Sequence, residues 1–96
     1  HMEFNLDACC EVYSNIATSL GLTQPGALAA KNAELLVETV RGMCVDFNLP
    51  THLSDIGVKR EELEPMAGNA LLDHCHKTNP KACALDDMSN ILNLAF

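Results

Sequence analysis

Asp73-His74-Cys75-His76 sets a carboxylate, a thiol and two imidazoles side by side, and these are the donors that hold zinc and related ions. Zinc ligands normally pair across two to four intervening residues, or at i and i+4 on a helix. The apolar spacing upstream makes 73–76 the end of a helix. There, consecutive side chains project about 100° apart and do not converge on one ion. The expectation is therefore a helix terminus with no metal site, where the macrodipole favours both imidazoliums. Cys75 has two histidine neighbours that favour a thiolate, but no Asn or Asp at a known spacing completes a nucleophilic set, so no catalytic residue is assigned. Adjacent Cys9 and Cys10 would need a strained ring to bond each other, and are read as the start of a helix. His52 sits in a connector and is expected to face solvent. The chain has no glycine-rich phosphate loop and no Ser-His-Asp order, and three Phe and one Tyr make no stacking platform.

The elements that carry these residues are helical, because apolar residues recur at intervals of three and four, not two. Val12, Tyr13, Ile16, Ala17 and Leu20 make one face of a helix over 10–20, closed by Gly21 as a left-handed cap. After a break at Pro25-Gly26, the spacing predicts a spine over 27–47. Its stripe is Ala29, Ala30, Ala33, Leu36, Val37, Val40, Cys44 and Phe47, and Glu34, Glu38 and Arg41 lie on the wet side. Residues 48–58 read as an ordered connector, since Pro50 disfavours helix at Leu49 and Gly57 can take positive φ; Leu49, Leu53, Ile56 and Val58 are expected to enter the core. A third helix spans 60–74, offset or kinked at Pro65, with Met66, Ala67, Ala70, Leu71 and His74 on one face. A break at Lys77-Thr78-Asn79-Pro80 precedes a last helix over 85–95, with Asp86 and Asp87 in its first turn and Leu85, Met88, Ile91, Leu92 and Ala95 as its apolar face.

Composition narrows the partners. Thirteen acidic against six basic residues give a net charge of -7, which repels phosphate backbones and anionic lipid, so nucleic acid and membranes are excluded. No apolar run approaches the roughly 20 residues of a membrane span, and no secretory pattern opens the sequence. Five cysteines, an odd number, fit reduced thiols in the cytoplasm. His1-Met2 has the form of an expression-tag remnant, leaving residues 3–96 as one domain. A chain of this size buries about 64% of its surface, a modest core that gains from a partner surface.

Four segments, in order, resemble the distal part of the C-terminal helical domain of iron-dependent (group III) alcohol dehydrogenases. Met2-Glu3-Phe4-Asn5 is similar to the family's "MEFN" stretch, and Leu20-Gly21 to the "LG" that ends its next helix. Leu49-Pro50-Thr51-His52-Leu53-Ser54-Asp55-Ile56-Gly57-Val58 resembles its "(I/L)P.xL.(D/E).GV" element. Ala70 to Asp73 with Asn79-Pro80-Lys81 resembles "A..D......NPR". Two of these pieces sit in loops, where helix propensity does not dictate them. Departures are small: Cys10 stands where many members have Pro, and Ala84 takes a helix N-cap position often held by Thr or Ser.

The resemblance implies an all-α bundle of four to five helices, part of a dehydroquinate-synthase-like helical domain. In the intact family this domain joins an N-terminal nucleotide-binding α/β domain, with catalytic iron held between them by one Asp and three His. Those ligands and the NAD(P) site lie upstream of the "MEFN" stretch. The implied parent is thus an oxidoreductase that uses Fe²⁺ (or Zn²⁺) and NAD(P). This chain alone is expected to hold neither cofactor and to be inactive, with His52, His74 and His76 outside the iron set. The loop before Asn79-Pro80 comes near the substrate end of the family's cleft, and Cys75 aligns with a position where some diol or lactaldehyde reductases carry Cys. Cys75, with His74 beside it, is the candidate cleft-rim residue. The expected partners are the missing nucleotide-binding domain and upstream helices, or a second copy through an exposed apolar face. The rival reading is a free-standing acidic helical interaction module.

Overall fold

The computed structural model describes residues 1–23 and 26–96. Among these are four α-helices and no strand: α1 (Cys10–Ser19), α2 (Ala29–Asp46), α3 (Leu63–Leu72) and α4 (Leu85–Leu94). Short 3-10 turns lie at Leu53–Ile56, Arg60–Glu62 and His74–Thr78. The all-α class follows the spacing. The chain divides into two compact units, His1–Asn48 and Leu49–Phe96.

In the first unit α1 packs on α2. Ala17 and Ala33 have no exposed surface, and Leu36 and Val37 are buried beside them. Small residues at the contact let the helix axes come close, as the alanines at the start of the spine imply. Buried Asn32 donates from Nδ2 to buried Ser14 Oγ at 3.4 Å, so the closest approach also carries a polar contact. The predicted face of α1 needs correction. Tyr13 and Ala17 turn inward with Ser14, but Val12, Ile16 and Leu20 are exposed by 57%, 41% and 61%. A short helix with one neighbour buries one narrow strip, and the wider apolar stripe is left uncovered. On α2, Ala30 and Phe47 are likewise exposed, whereas Glu34, Glu38 and Arg41 lie on the wet side as expected. Lys31 pairs with Glu34 at 2.9 Å, and Arg41 with Glu3.

Gly21 closes α1 as the sequence predicts. Its φ is +71°, Leu22 N–H donates to Ala17 C=O at 3.0 Å, and Gly21 N–H donates to Thr18 C=O at 3.0 Å. This is the paired 6→1 and 5→2 arrangement of a Schellman cap. The expected break at Pro25 lies outside the described residues.

In the second unit α3 packs on α4, and Leu63, Ala67 and Met88 are its buried apolar residues. Pro65 occupies the first turn of α3, where a missing N–H costs nothing. The offset anticipated there takes the form of the 3-10 turn Arg60–Glu62, ahead of the α-helix. The connector is held by polar contacts more than by its apolar side chains. Leu53 N–H donates to Ala95 C=O at 2.8 Å, Ser54 Oγ donates to Phe96 C=O at 2.9 Å, and the Arg60 guanidinium lies 4.5 Å above the Phe96 ring. Leu53 and Val58 are half-buried, but Leu49 and Ile56 are exposed by 52% and 61%, against the expectation that they enter the core. Leu85 is also exposed.

Three turns open in one way. The backbone N–H groups of His52, Lys59 and Ala84 donate to the carboxylates of Asp55, Glu62 and Asp87 three residues on, at 3.0, 2.7 and 3.0 Å. Each is the acidic half of a capping box. At Ala84 the other half is missing, since alanine offers no oxygen to α4.

Substitutions at these ends test the account with opposite signs. Gly21→Ala should destabilise by about 1–2 kcal/mol, because a Cβ in left-handed backbone is strained. Gly42→Ala, inside α2 with open space around its Cβ position, should stabilise by about 0.5–1 kcal/mol. Ala84→Ser, by supplying the missing cap, should add about 1 kcal/mol. Urea denaturation followed by circular dichroism reads all three, and a Gly21→Ala chain as stable as the parent would refute the cap assignment.

Candidate functional site

The chain around Cys75 is shaped by the early end of α3. Asp73 turns to extended backbone (φ -73°, ψ 124°), so the helix stops at Leu72 and not at His74 as expected. The Asp73 carboxylate accepts the Cys75 backbone N–H at 2.9 Å and caps the 3-10 turn His74–Thr78. Thr78 Oγ1 donates to Cys75 C=O at 2.9 Å, the His76 ring bonds through Nδ1 to Asp73 C=O, and Asn79 N–H donates to His76 C=O at 3.2 Å. Asn79 is itself extended, as a residue before proline must be, and its Nδ2 donates to Lys81 C=O at 2.6 Å. A capped turn pinned at both ends, not a helix end, therefore presents Cys75.

Two expectations change as a result. His74 does not join the apolar face of α3; it is exposed, and neither histidine sits on the C-terminal turn of that helix. The ground for discounting a metal site, divergence of consecutive side chains on a helix, does not apply either. One ligand atom each from Asp73, His74 and Cys75 lies within 4.8 Å of the others, with all three residues exposed. Asp73 was grouped with His74 and Cys75 in the sequence, but its part in capping the turn that brings them together was not foreseen. Its signal was an Asp placed to cap a turn that closes at Asn-Pro.

The electrostatics oppose a reactive thiolate. The Asp73 carboxylate, by hydrogen bond to the thiol and then by charge, holds the Cys75 thiol above its ordinary pKa. The Cys75 backbone N–H in turn holds the Asp73 carboxyl below its ordinary value. The carboxylate, not the histidine neighbours that suggested activation, dominates the surroundings of the thiol. This one-Asp, one-His, one-Cys set also lacks the one-Asp, three-His pattern of the iron family, so no step through iron is assigned to it.

The other candidates are set apart from chemistry. His52 is exposed, with Nδ1 at 3.1 Å from Thr51 Oγ1 and 3.6 Å from Asp55 Oδ2. Cys9 is buried and Cys10 opens α1, as expected, and all five cysteines are free thiols. An open groove of about 550 Å³ runs between α3 and α4, lined by residues such as Arg60, Glu64, Gly68 and Asp86, but it includes neither His74 nor Cys75.

Residues 1–96 match the model of the Fe-containing alcohol dehydrogenase family, C-terminal. The chain is 32% identical over 95 residues to lactaldehyde reductase of Escherichia coli K12, covering 99% of this chain and 25% of that protein. It is 33% identical over 93 residues to NAD-dependent methanol dehydrogenase of Bacillus methanolicus, covering 97% of this chain and 24% of the other. A crystal structure of 1,3-propanediol oxidoreductase superposes with a TM-score of 0.92 at 29% identity, over 99% of this chain and 25% of that one. The chain thus spans about a quarter of the length of its relatives. On a match that runs from His1 to Phe96, the chain belongs to the C-terminal domain of the Fe-containing alcohol dehydrogenase family.

Proposed function

We propose that this chain is the outer, structural part of the catalytic helical domain of an iron-dependent, NAD(P)-linked alcohol dehydrogenase, and walls one side of its cleft. The observation that carries the reading is the full-length family match, together with coverage of only a quarter of each relative. The parent protein would move a hydride between a small alcohol and a nicotinamide in the cytoplasm. Relatives named for lactaldehyde, methanol and 1,3-propanediol support a short-chain substrate. Iron, or zinc in its place, supplies a Lewis acid for the alcohol oxygen when bound, and its ligands belong to the upstream part of the parent.

The uncovered stripe of Val12, Ile16 and Leu20 supports a covering partner, since these residues recur at i, i+4 and i+8 on one side of α1. The upstream helices and the nucleotide-binding domain are the partners proposed for such surfaces. Cys75, with His74 beside it, is proposed at the rim of the substrate cleft, where it narrows the space for substrate without moving a proton or hydride.

Two measurements test this reading. Calorimetry of the 96-residue chain with NAD⁺ and NADP⁺ should give no binding heat, and a stoichiometric micromolar response would place a nucleotide site here after all. In the full-length parent, Cys75→Ala should change KM and chain-length preference across a series of alcohols by a factor matching about 1–3 kcal/mol, the scale of a methylene in an apolar pocket. A thousandfold loss of kcat with unchanged metal content would make Cys75 catalytic and overturn the structural role.

A further inference from the structure

We propose that Asp73, His74 and Cys75 form a surface binding site for a single borderline-soft divalent cation, zinc in the first place, held by one carboxylate oxygen, one imidazole nitrogen and one sulfur. The inference rests on the turn, not on the family match. Because α3 ends at Leu72 and Asp73 is extended, three consecutive side chains gather on one side of the chain, with their ligand atoms all within 4.8 Å of one another. Zinc bonds of about 2.0–2.3 Å in tetrahedral geometry need ligand atoms roughly 3.3–3.8 Å apart. Exposed side chains can close that gap of about 1 Å by small rotations, without disturbing a backbone fixed by the Cys75 N–H to Asp73, Thr78 to Cys75 and Asn79 N–H to His76 bonds.

Each donor is available. The hydrogen bond to Cys75 N–H uses Asp73 Oδ1, leaving Oδ2, and among the described residues the His74 ring has no hydrogen-bond partner. The Cys75 thiol lies against the Asp73 carboxylate, so a cation placed there meets both. On binding, the S–H bond breaks, an S–metal bond forms and the proton leaves to solvent; no electron changes hands. Thiolate and carboxylate cancel the charge of a divalent ion, and a chain of net charge -7 attracts cations. A sulfur donor with imidazole selects zinc over magnesium or calcium, and zinc stands above cobalt and ferrous iron in general affinity. Three protein ligands leave a fourth position for water.

Cobalt(II) provides the readout, because only a bound thiolate gives a sulfur-to-cobalt charge-transfer band in the near ultraviolet. Titration of the reduced 96-residue chain should develop this band at one equivalent, and zinc should remove it. Cys75→Ser should abolish it. His74→Ala and Asp73→Asn should each weaken cobalt binding by about tenfold or more, since even outer-shell changes at metal sites cost about that much. Asparagine keeps an oxygen for the Cys75 N–H, so the second variant removes the charge and leaves the turn. Cys44→Ser, Cys83→Ser and His1→Ala should bind as the parent does. No band, a band that survives Cys75→Ser, or affinity unchanged by both His74→Ala and Asp73→Asn would overturn the site.

Discussion

Among the described residues, three alanines, Ala17, Ala33 and Ala67, are the apolar side chains with no exposed surface, and no large side chain is fully buried. That limit governs each unit. An alanine methyl adds on the order of 0.8 kcal/mol on burial, against about 1.5–3 kcal/mol for a fully buried leucine or methionine. Close helix approach through small residues therefore leaves each pair with a thin apolar contact and pushes larger residues to its margins. Much of the remaining order comes from polar closures: the Schellman cap at Gly21, three acidic half-boxes, and the bonds from Leu53, Ser54 and Arg60 to residues 93–96. The caps and half-boxes are local, and the bonds to residues 93–96 tie the connector to the end of the second unit, so each segment holds its path even where its apolar side chains face outward.

Element type was legible because it depends on local spacing. The run from Ala33 through Leu36 and Val37 predicts both the helix and its buried strip, and Gly21 predicts the cap. Which residues of a stripe are covered depends on how many neighbours the helix has, and spacing cannot count neighbours. Val12, Ile16 and Leu20 show the gap: their pattern is that of a helix packed on a broad surface, while α1 meets α2 on a narrower one. Leu49 and Ile56 show the same gap in the connector. The uncovered residues and the quarter-length match together support the place proposed for this chain within a larger protein.

The site was less legible, and for a specific physical reason. Whether residues 73–76 diverge or converge turns on one backbone torsion, ψ of Asp73, at the boundary where sequence reading is weakest. With helical ψ the imidazole and thiol fan out around the helix, and with the observed ψ of 124° they share one side of a turn. The determinants are Asp73, directly after the last helical residue Leu72, and Pro80. Asp73 can satisfy the Cys75 N–H from its own side chain, and Pro80 keeps Asn79 out of helical backbone.

The same residues show why these turns restrict sequence more than the helices do. Many sequences satisfy an amphipathic helix, but a turn that needs an acceptor at 73, a hydroxyl at 78 and a proline at 80 admits few. The connector is constrained in the same manner, with Asp55 fixing the His52 N–H, Ser54 reaching Phe96, and Gly57 in left-handed backbone at φ +86°. These positions are held by hydrogen bonds within the unit, so they answer to the fold's own closure. The exposed side chains of His74 and Cys75 carry little of that closure: the turn is tied through the backbone N–H and C=O of Cys75, and its thiol adds a contact to the Asp73 carboxylate. Side chains so freed from structural work can vary in size and ligand character at little cost to the fold, which is the condition a position needs if it is to tune specificity or bind an ion.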